Sequence, residues 1–170
     1  MKDGQVLLVI DMQHGLLQRE IFNKQALIEN VNSLLDCFHS ENRPVFLIRH
    51  ANSSFLKANS DEWQIYNKLN VTDTDILIDK SHSSVFKERE FLSLLRDKDA
   101  KSVIIVGLVS NGCVQAACLD AKKNGYSVIL ISDAHSTFHK DAANVIMDWN
   151  MRLKNEGVEL LSTNEFITVD

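Results

Sequence analysis

The stretch that decides the fold of this 170-residue chain reads VIIVGLVSNGCVQAA and covers residues 103–117. Its first residues are β-branched and apolar, which is typical of a strand buried on both faces of a parallel sheet. A short polar turn follows, and the small and apolar residues after it predict a helix that begins near residue 111. A strand, a tight turn and a helix in this order indicate an α/β fold.

Cys113 lies within the first turn of that predicted helix. Free N–H groups and the positive end of the helix dipole favour a negative charge at this position, so we expect the pKa of the thiol to be depressed. The same N–H groups are suited to holding an oxyanion. The alternative is that Cys113 is a small buried residue of the core, as cysteines often are.

Two charged residues follow other predicted buried strands. Asp11 comes directly after VLLVI at residues 6–10, and Lys80 follows ILID at residues 76–79. Ligands of open α/β sheets bind at the carboxyl ends of the strands, where these residues and Cys113 would meet. A carboxylate beside a thiol can take its proton, and an ammonium group favours the ionised form of both. Each charge alone is typical of a solvated strand end, but the three together predict a catalytic site.

The rest of the chain alternates strands with helices and contains no repeat, low-complexity tract or linker. Buried parallel strands with helices between them imply a three-layer αβα fold with a doubly wound, mainly parallel sheet, in one domain over residues 1–170. The predicted strands cover about 5–10, 44–49, 75–79, 102–107, 127–132 and 157–161. The predicted helices cover about 24–41, 61–69, 88–98, 111–124 and 141–155.

Composition and charge narrow the functional classes. A net charge of −5 without a basic cluster gives no electrostatic reason to expect nucleic acid or an anionic membrane as a partner. No apolar run approaches the ~20 residues that span a bilayer, and the first strand begins too early to leave room for a signal peptide. We therefore expect a cytoplasmic protein. The three cysteines predict neither a disulfide framework nor a zinc site, and we interpret Cys37 and Cys118 as packing residues.

The residues of the predicted site match a known family. Asp11-Met12-Gln13, Lys80 and the motif GLVSNGC at residues 107–113 resemble, in order and spacing, the Asp-Lys-Cys triad of the isochorismatase-like cysteine hydrolases. That family includes nicotinamidases, N-carbamoylsarcosine amidohydrolases and isochorismatases, and the resemblance covers nearly the whole chain. It implies a six-stranded sheet in the order 3-2-1-4-5-6, with Asp11 beside the Cys113 turn. Lys80 would then leave a strand about 10 Å from the first one and could reach Asp11 only through a long side chain.

The resemblance also implies an activity. Asp11, Lys80 and Cys113 would be the catalytic residues that hydrolyse a C–N bond of a small amide, ureido or imide substrate through a covalent thioester. The backbone N–H groups of Val109 and Cys113 would form the oxyanion hole. Family members carry a non-proline cis peptide in this turn, which here would be Leu108–Val109. Relatives commonly self-associate, so we expect a homo-oligomer.

Departures from the family pattern limit the substrate and the cofactor. Nicotinamidases of the family place an Asp-x-His metal motif after the second strand, where this chain has Arg49-His50-Ala51-Asn52, so we expect no metal and no other cofactor. Isochorismatases in the strict sense lack the nucleophilic cysteine, so Cys113 argues against vinyl-ether hydrolysis. The expected substrates are therefore small amides, ureido compounds or imides.

The connection over residues 50–75 is the predicted pocket wall, since long loops between strands are often lids or binding loops. The candidate substrate-binding residues are Gln13, Arg49, His50, Trp63 and His135. Structural alternatives stay open for three of them. Trp63 could pack a short helix onto the sheet, Arg49 could form a surface ion pair, and His50 could be a hydrogen-bonded residue at a strand end.

Two other functional classes remain on the sequence alone. A non-catalytic redox-sensing or small-molecule-binding module could use the same thiol. Asp11 argues against that class, because a sensor needs no acid/base carboxylate beside its thiol. A nucleotide-binding domain is disfavoured because the turn after the first strand, DMQHG at residues 11–15, has one glycine and no cradle for a pyrophosphate.

Overall fold

The computed structural model describes residues 3–169, which contain one six-stranded sheet in the order β3-β2-β1-β4-β5-β6. This order confirms the prediction. Every neighbouring pair of strands in the sheet is parallel. The strands are β1 (Gln5–Ile10), β2 (Val45–His50), β3 (Ile76–Lys80), β4 (Ser102–Leu108), β5 (Ser127–Ser136) and β6 (Glu159–Leu161).

Helices cover both faces of the sheet, which confirms the three-layer architecture. The α-helices are α1 (His14–Leu17), α2 (Lys24–Ser40), α3 (Arg89–Asp97), α4 (Gln115–Lys123), α5 (Ala142–Asn155) and α6 (Thr163–Val169). One apolar core joins α1, α2 and α6 to the sheet, and the other joins α3, α4 and α5 to it. Successive residues of β1 contribute to the two cores in turn, since side chains alternate between the faces of a strand. No helix within residues 3–169 has the length and apolar character needed to cross a membrane.

The prediction of a helix over residues 61–69 is wrong. Asp61–Trp63 form a single 3₁₀ turn, Ile65 forms an isolated bridge with Gln13, and residues 67–68 form another turn. The N–H of His14 donates to the carbonyl of Gln64 at 3.0 Å, and the N–H of Tyr66 donates to the carbonyl of Met12 at 2.9 Å. Because these backbone groups bond to the turn after β1, they are not available for a helix.

Other boundaries also differ from the predictions. The helix predicted to start at residue 111 becomes α-helical only at Gln115, after a π-helical turn over Ser110–Val114. Strand β5 continues to Ser136, because the chain bulges and then pairs with β4 again through His135 and Ser136. The short helices α1 and α6 were not predicted.

Candidate active site

Strands β1 and β4 end side by side, and a glycine allows them to approach closely. Gly107 has φ +115°, and a Cβ atom at this position would lie 2.1 Å from the carbonyl oxygen of Ile10. Only glycine fits such a backbone contact with a positive φ. The contact places the turn after β4 directly against Asp11, the residue that follows β1.

Cys113 is held in the π-helical turn between β4 and α4. The Leu108–Val109 peptide is cis, as expected from the family resemblance. The carbonyl of Val109 accepts the N–H groups of Gly112 at 3.0 Å and Val114 at 3.2 Å, which lie on either side of Cys113. Gly112 has non-helical torsion angles, and a Cβ atom there would lie 2.9 Å from the side chain of Val109. This backbone path leaves the half-buried Cys113 side chain facing the ends of β1 and β3.

Lys80 is the centre of a compact polar cluster at the carboxyl edge of the sheet. Its Nζ lies 3.1 Å from Oδ2 of Asp11, 3.3 Å from Sγ of Cys113 and 3.4 Å from Nδ1 of His50. The residue comes from β3 and reaches past β2 to Asp11, so the long side chain closes the gap that the strand order predicts. An ammonium group has three N–H donors, and the cluster supplies three acceptors. The structure therefore brings Asp11, Lys80 and Cys113 together.

The electrostatics of the cluster differ from the sequence expectation. Burial, followed by the negative charge of Asp11, raises the pKa of the Cys113 thiol to about 11, although Lys80 acts in the opposite direction. The prediction of a depressed thiol pKa is therefore wrong, because Cys113 precedes α4 and its half-buried thiol is partly shielded from water. Burial also raises the pKa of the Asp11 carboxyl, and Lys80 is the strongest of the effects that oppose this rise.

Asp11 keeps one oxygen without a partner. Its side chain is buried, with 3% of the residue exposed, and Oδ2 pairs with Lys80. Oδ1 is equally buried and has no partner of good hydrogen-bond geometry in the described range 3–169, although the Cys113 thiol interacts with the same carboxyl group and lowers its pKa. An unsatisfied buried carboxylate oxygen is costly, so a donor from a bound molecule would stabilise it.

Gln13 and His50 connect β2 to the site. The Gln13 amide donates to the carbonyls of His50 at 3.0 Å and Trp63 at 2.8 Å, and it accepts the N–H of His50 at 2.9 Å. Gln13 is fully buried, so its polar atoms serve this clamp. His50 is half-buried, and burial, followed by Lys80, lowers its pKa below the ordinary value. It is therefore a neutral imidazole at the rim of the cluster.

Arg49 and Trp63 lie apart from the cluster. The Arg49 guanidinium makes a bidentate ion pair with Asp79, at 2.8 and 3.1 Å, and stacks 3.5 Å above the Trp63 ring. A further Arg49 bond, at 3.3 Å, goes to Oε1 of Gln64. Arg49 therefore forms the ion pair that the sequence left open as an alternative, and Trp63 packs against it without the predicted helix.

His135 is buried beside the turn that carries Cys113. Asn150 Oδ1 lies 2.9 Å from Nε2, and Ser110 Oγ lies 2.8 Å from Nδ1. Because the Asn150 oxygen accepts the proton of Nε2, Nδ1 accepts the hydroxyl proton of Ser110. Burial lowers the pKa of His135 to about 4, so the ring is neutral. Both ring nitrogens are used inside the protein, and these bonds anchor the Ser110–Val114 turn to β5 and α5.

Sequence reasoning missed several of these partners. Ser110 is part of the quoted motif, but nothing marked Asn150 or Asp79, because their partners are distant in sequence and are joined only by the fold. Within residues 3–169, no group of three or more His, Cys, Asp or Glu side chains is arranged to hold a metal ion.

Comparisons with known proteins agree with the fold. The sequence model of the family described as the isochorismatase domain matches residues 5–165. An uncharacterised isochorismatase family protein of Bacillus subtilis (strain 168), YddQ, is 24% identical over 138 residues, which cover 77% of each chain. Nicotinamidase 3 of Arabidopsis thaliana is 26% identical over 153 residues, which cover 79% of this chain and 74% of the relative.

Solved structures share the same architecture. A cysteine hydrolase from Pseudomonas syringae pv. phaseolicola 1448A superposes with a TM-score of 0.91 at 20% identity. The match covers 99% of this chain and 92% of that one. A second structure, of an isochorismatase family protein, has a TM-score of 0.89 at 24% identity and covers 95% of this chain and all of its own. At these identities the likeness shows a common fold.

Proposed function

This chain belongs to the isochorismatase family of hydrolases, and we propose that it is a cysteine hydrolase that cleaves a C–N bond of a small amide, ureido or imide substrate through a thioester on Cys113. The observation that carries the proposal is the cluster around Lys80, in which one ammonium lies within 3.1 Å of the Asp11 carboxylate and 3.3 Å of the Cys113 sulfur. A base, a nucleophile and a fixed cation in contact are the parts that acyl transfer needs.

The first half of the reaction forms the thioester. Asp11 takes the thiol proton as the Cys113 sulfur attacks the carbonyl carbon, and the backbone N–H groups of Val109 and Cys113 hold the oxyanion. Asp11 then gives that proton to the nitrogen, the C–N bond breaks, and ammonia or an amine leaves. The unpartnered Oδ1 of Asp11 is the acceptor that this role requires, since Oδ2 is held by Lys80.

The second half returns the enzyme to its starting state. Asp11 removes a proton from a water molecule, whose oxygen attacks the thioester carbonyl. The C–S bond breaks, the acid product leaves, and the Cys113 sulfur takes the proton back from Asp11. Lys80 stabilises the negative charge at each stage, because it lowers the pKa of both Asp11 and Cys113.

The raised pKa of the thiol decides how attack proceeds. With a pKa of about 11, the Cys113 thiolate is about 10⁻⁴ of the population at pH 7. Attack is therefore coupled to proton transfer to Asp11 and does not start from a stored thiolate. The raised pKa of the Asp11 carboxyl makes it a stronger base for this transfer than an exposed aspartate.

The same property weakens the sensor alternative. Cysteines that sense oxidants are exposed and have low pKa values, whereas Cys113 is half-buried and its pKa is raised. A non-catalytic binding module would also have no use for Asp11 with an unpartnered oxygen beside the thiol.

The test is release of ammonia from a panel of small amides, ureido acids and cyclic imides. Wild type is compared with Cys113→Ala and with the matched control Cys118→Ala, whose thiol is buried in the α4 packing. We expect turnover that survives in Cys118→Ala and in the presence of chelator and is lost in Cys113→Ala. Equal background rates from all three proteins across the panel would contradict the proposal.

Two expectations about partners and place stay predictions. We propose that the protein self-associates, which sedimentation velocity would test over a range of concentrations. We also propose that its partners are small molecules of the cytoplasm rather than nucleic acid or membrane, which fractionation and a filter-binding assay with DNA and RNA would test.

A further inference from the structure

We infer that His50 is a hydrogen-bond donor to the substrate, and that it selects an uncharged amide carrying a second acceptor close to the scissile carbonyl. The inference rests on the proposed hydrolase function and adds the chemical class of the substrate. Three observations on His50 carry it. The strand register places His50 between Asp11 and Lys80, Gln13 holds its backbone, and Lys80 bonds to its ring.

The position of His50 follows from the sheet. Strand β2 lies between β1 and β3, and His50 at its end is paired in register with Lys80. The side chain of His50 therefore stands beside the cluster, with Nδ1 at 3.4 Å from Lys80 Nζ. Nζ is also 3.3 Å from the Cys113 sulfur, so one ammonium group links the imidazole ring to the proposed nucleophile.

The backbone of His50 is fixed on both sides. The buried amide of Gln13 accepts the N–H of His50 and donates to its carbonyl, at 2.9 and 3.0 Å. Gln13 itself is held by the carbonyl of Trp63 at 2.8 Å. A donor group on so constrained a backbone loses little freedom when a ligand binds, which favours affinity and selectivity.

The ring of His50 has one tautomer available beside Lys80. An ammonium has donors only, so Nδ1 accepts its proton and the ring hydrogen is on Nε2. Nε2 makes no hydrogen bond within residues 3–169. It is not one of the buried polar atoms without a partner, so it lies at the protein surface. The lowered pKa of His50 agrees with a neutral ring. His50 thus keeps, next to the Lys80 cluster, a single N–H that no residue of the described range accepts.

The charged donors at the ends of β2 and β3 are committed. The three N–H groups of Lys80 meet Asp11, Cys113 and His50, and the Arg49 guanidinium is held by Asp79 and Gln64. The cluster itself is neutral overall, with one carboxylate and one ammonium. A substrate carboxylate would face the unpartnered oxygen of Asp11 without a free cation among these residues. An uncharged acceptor, such as a second amide or ureido carbonyl, matches the N–H of His50.

The experiment uses two substrates of the same shape. Malonamide carries a second carboxamide, and isovaleramide replaces the oxygen and nitrogen of that group with two methyl groups. We expect wild type to prefer malonamide in kcat/KM by about tenfold, because loss of the acceptor leaves the His50 N–H unpaired. His50→Leu should lose this preference, and His50→Gln, whose amide retains a donor and an acceptor, should keep most of it. Malonamate, with a carboxylate as second group, should be a poorer substrate than malonamide.

The ratio between the two substrates is the readout, since removal of His50 also takes an acceptor from Lys80 and slows both reactions. A preference for malonamide that is unchanged in His50→Leu would overturn the inference and leave the hydrolase proposal standing. Failure of wild type to hydrolyse any amide would count against the hydrolase proposal, so a second measurement is made without turnover.

The second measurement follows the His50 ring by nitrogen NMR in Cys113→Ala, with the signal assigned by its absence from His50→Gln. We expect the Nε2–H tautomer in the free protein and a saturable shift of Nε2 with malonamide that isovaleramide does not produce. A proton on Nδ1, or no saturable binding of malonamide, would overturn the assignment of His50 whatever the hydrolysis assay gives.

Discussion

Replacement of Asp11 by asparagine should make the Cys113 thiol more reactive towards an alkylating agent and at the same time abolish hydrolysis. After burial, the negative charge of Asp11 is the largest cause of the raised thiol pKa, and Lys80 acts against it. The asparagine side chain would have the same size and could still accept from Lys80 through its amide oxygen. The ammonium would then face a thiolate without a competing carboxylate, so the thiol pKa should fall.

The size of the effect follows from the direct interaction between the Asp11 carboxylate and the thiol. A charge in contact shifts the pKa of a neighbour by about 1–3 units, so the thiol pKa should move from about 11 to between roughly 8 and 10. The thiolate fraction at pH 7 then rises about 10- to 1000-fold. Thiolates of lower pKa are weaker nucleophiles, which cancels about half of the gain on a logarithmic scale. The expected acceleration of alkylation is therefore about 3- to 30-fold.

The assay measures alkylation by iodoacetamide between pH 6 and 10 and reads Cys113 separately from Cys37 and Cys118 by peptide mass spectrometry. Lys80→Met is the opposite control, because loss of the ammonium should slow alkylation. Circular dichroism must show that both variants fold, since breaking a buried ion pair costs about 3–5 kcal/mol. Alkylation of Asp11→Asn at or below the wild-type rate, in a folded protein, would refute the coupling between Asp11 and the thiol.

Three further predictions concern stability. The pKa of His135 is about 4 in the folded protein and ordinary in the unfolded chain, so the neutral ring stabilises the fold above pH 6.5 and this contribution is lost as the pH falls towards 4. Urea unfolding should therefore show a loss of about 2–3 kcal/mol in stability between pH 7.5 and 4.5. The variant His135→Gln should show little of this pH dependence. In thermal melts, Gly107→Ala should cost more than about 4 kcal/mol, because its Cβ would lie 2.1 Å from the carbonyl oxygen of Ile10 in the neighbouring strand β1. Gly125→Ala is the control: this residue has a positive φ but nothing within 4 Å, so the substitution should cost about 1 kcal/mol. Gln13→Leu would leave three backbone groups, two of His50 and one of Trp63, without their hydrogen-bond partner, so it should cost about 3 kcal/mol or more in stability and raise KM. A stability and KM equal to those of the exposed control Gln18→Leu would contradict the role of Gln13 as a clamp.

The sequence was sufficient to predict where the three residues of the cluster converge. Asp11, Lys80 and the Cys113 turn each follow a run of apolar residues, and parallel strands bring such positions to one edge of the sheet. The strand order from the family resemblance then required a long side chain at residue 80, and the contact between Lys80 and Asp11 meets that requirement. These features depend on regular geometry, which hydrophobic patterns encode directly.

The features that the sequence did not predict depend on contacts between distant segments. The 64–66 segment reads as part of a helix until the backbone of residues 12–14 takes its hydrogen bonds. The bulge that carries His135 back to β4, and the bond from His135 to Asn150, likewise join residues that no local pattern connects. Such long-range hydrogen bonds override local propensity, and they determine which candidate residues face the site.

The thiol pKa of Cys113 is raised and not depressed as predicted, which shows how strongly burial controls the protonation of this site. A helix start would depress the pKa of a cysteine, but Cys113 lies before α4 and is half-buried, so burial has the larger effect on its pKa. The same burial raises the pKa of Asp11, and the two groups are left with one proton, one negative charge and the compensating charge of Lys80. A resting site of this kind carries no net charge and exposes no thiolate to oxidants. In the proposed mechanism the site gains a nucleophile only when a substrate carbonyl lets the proton move to Asp11, which would tie reactivity to the presence of an uncharged substrate.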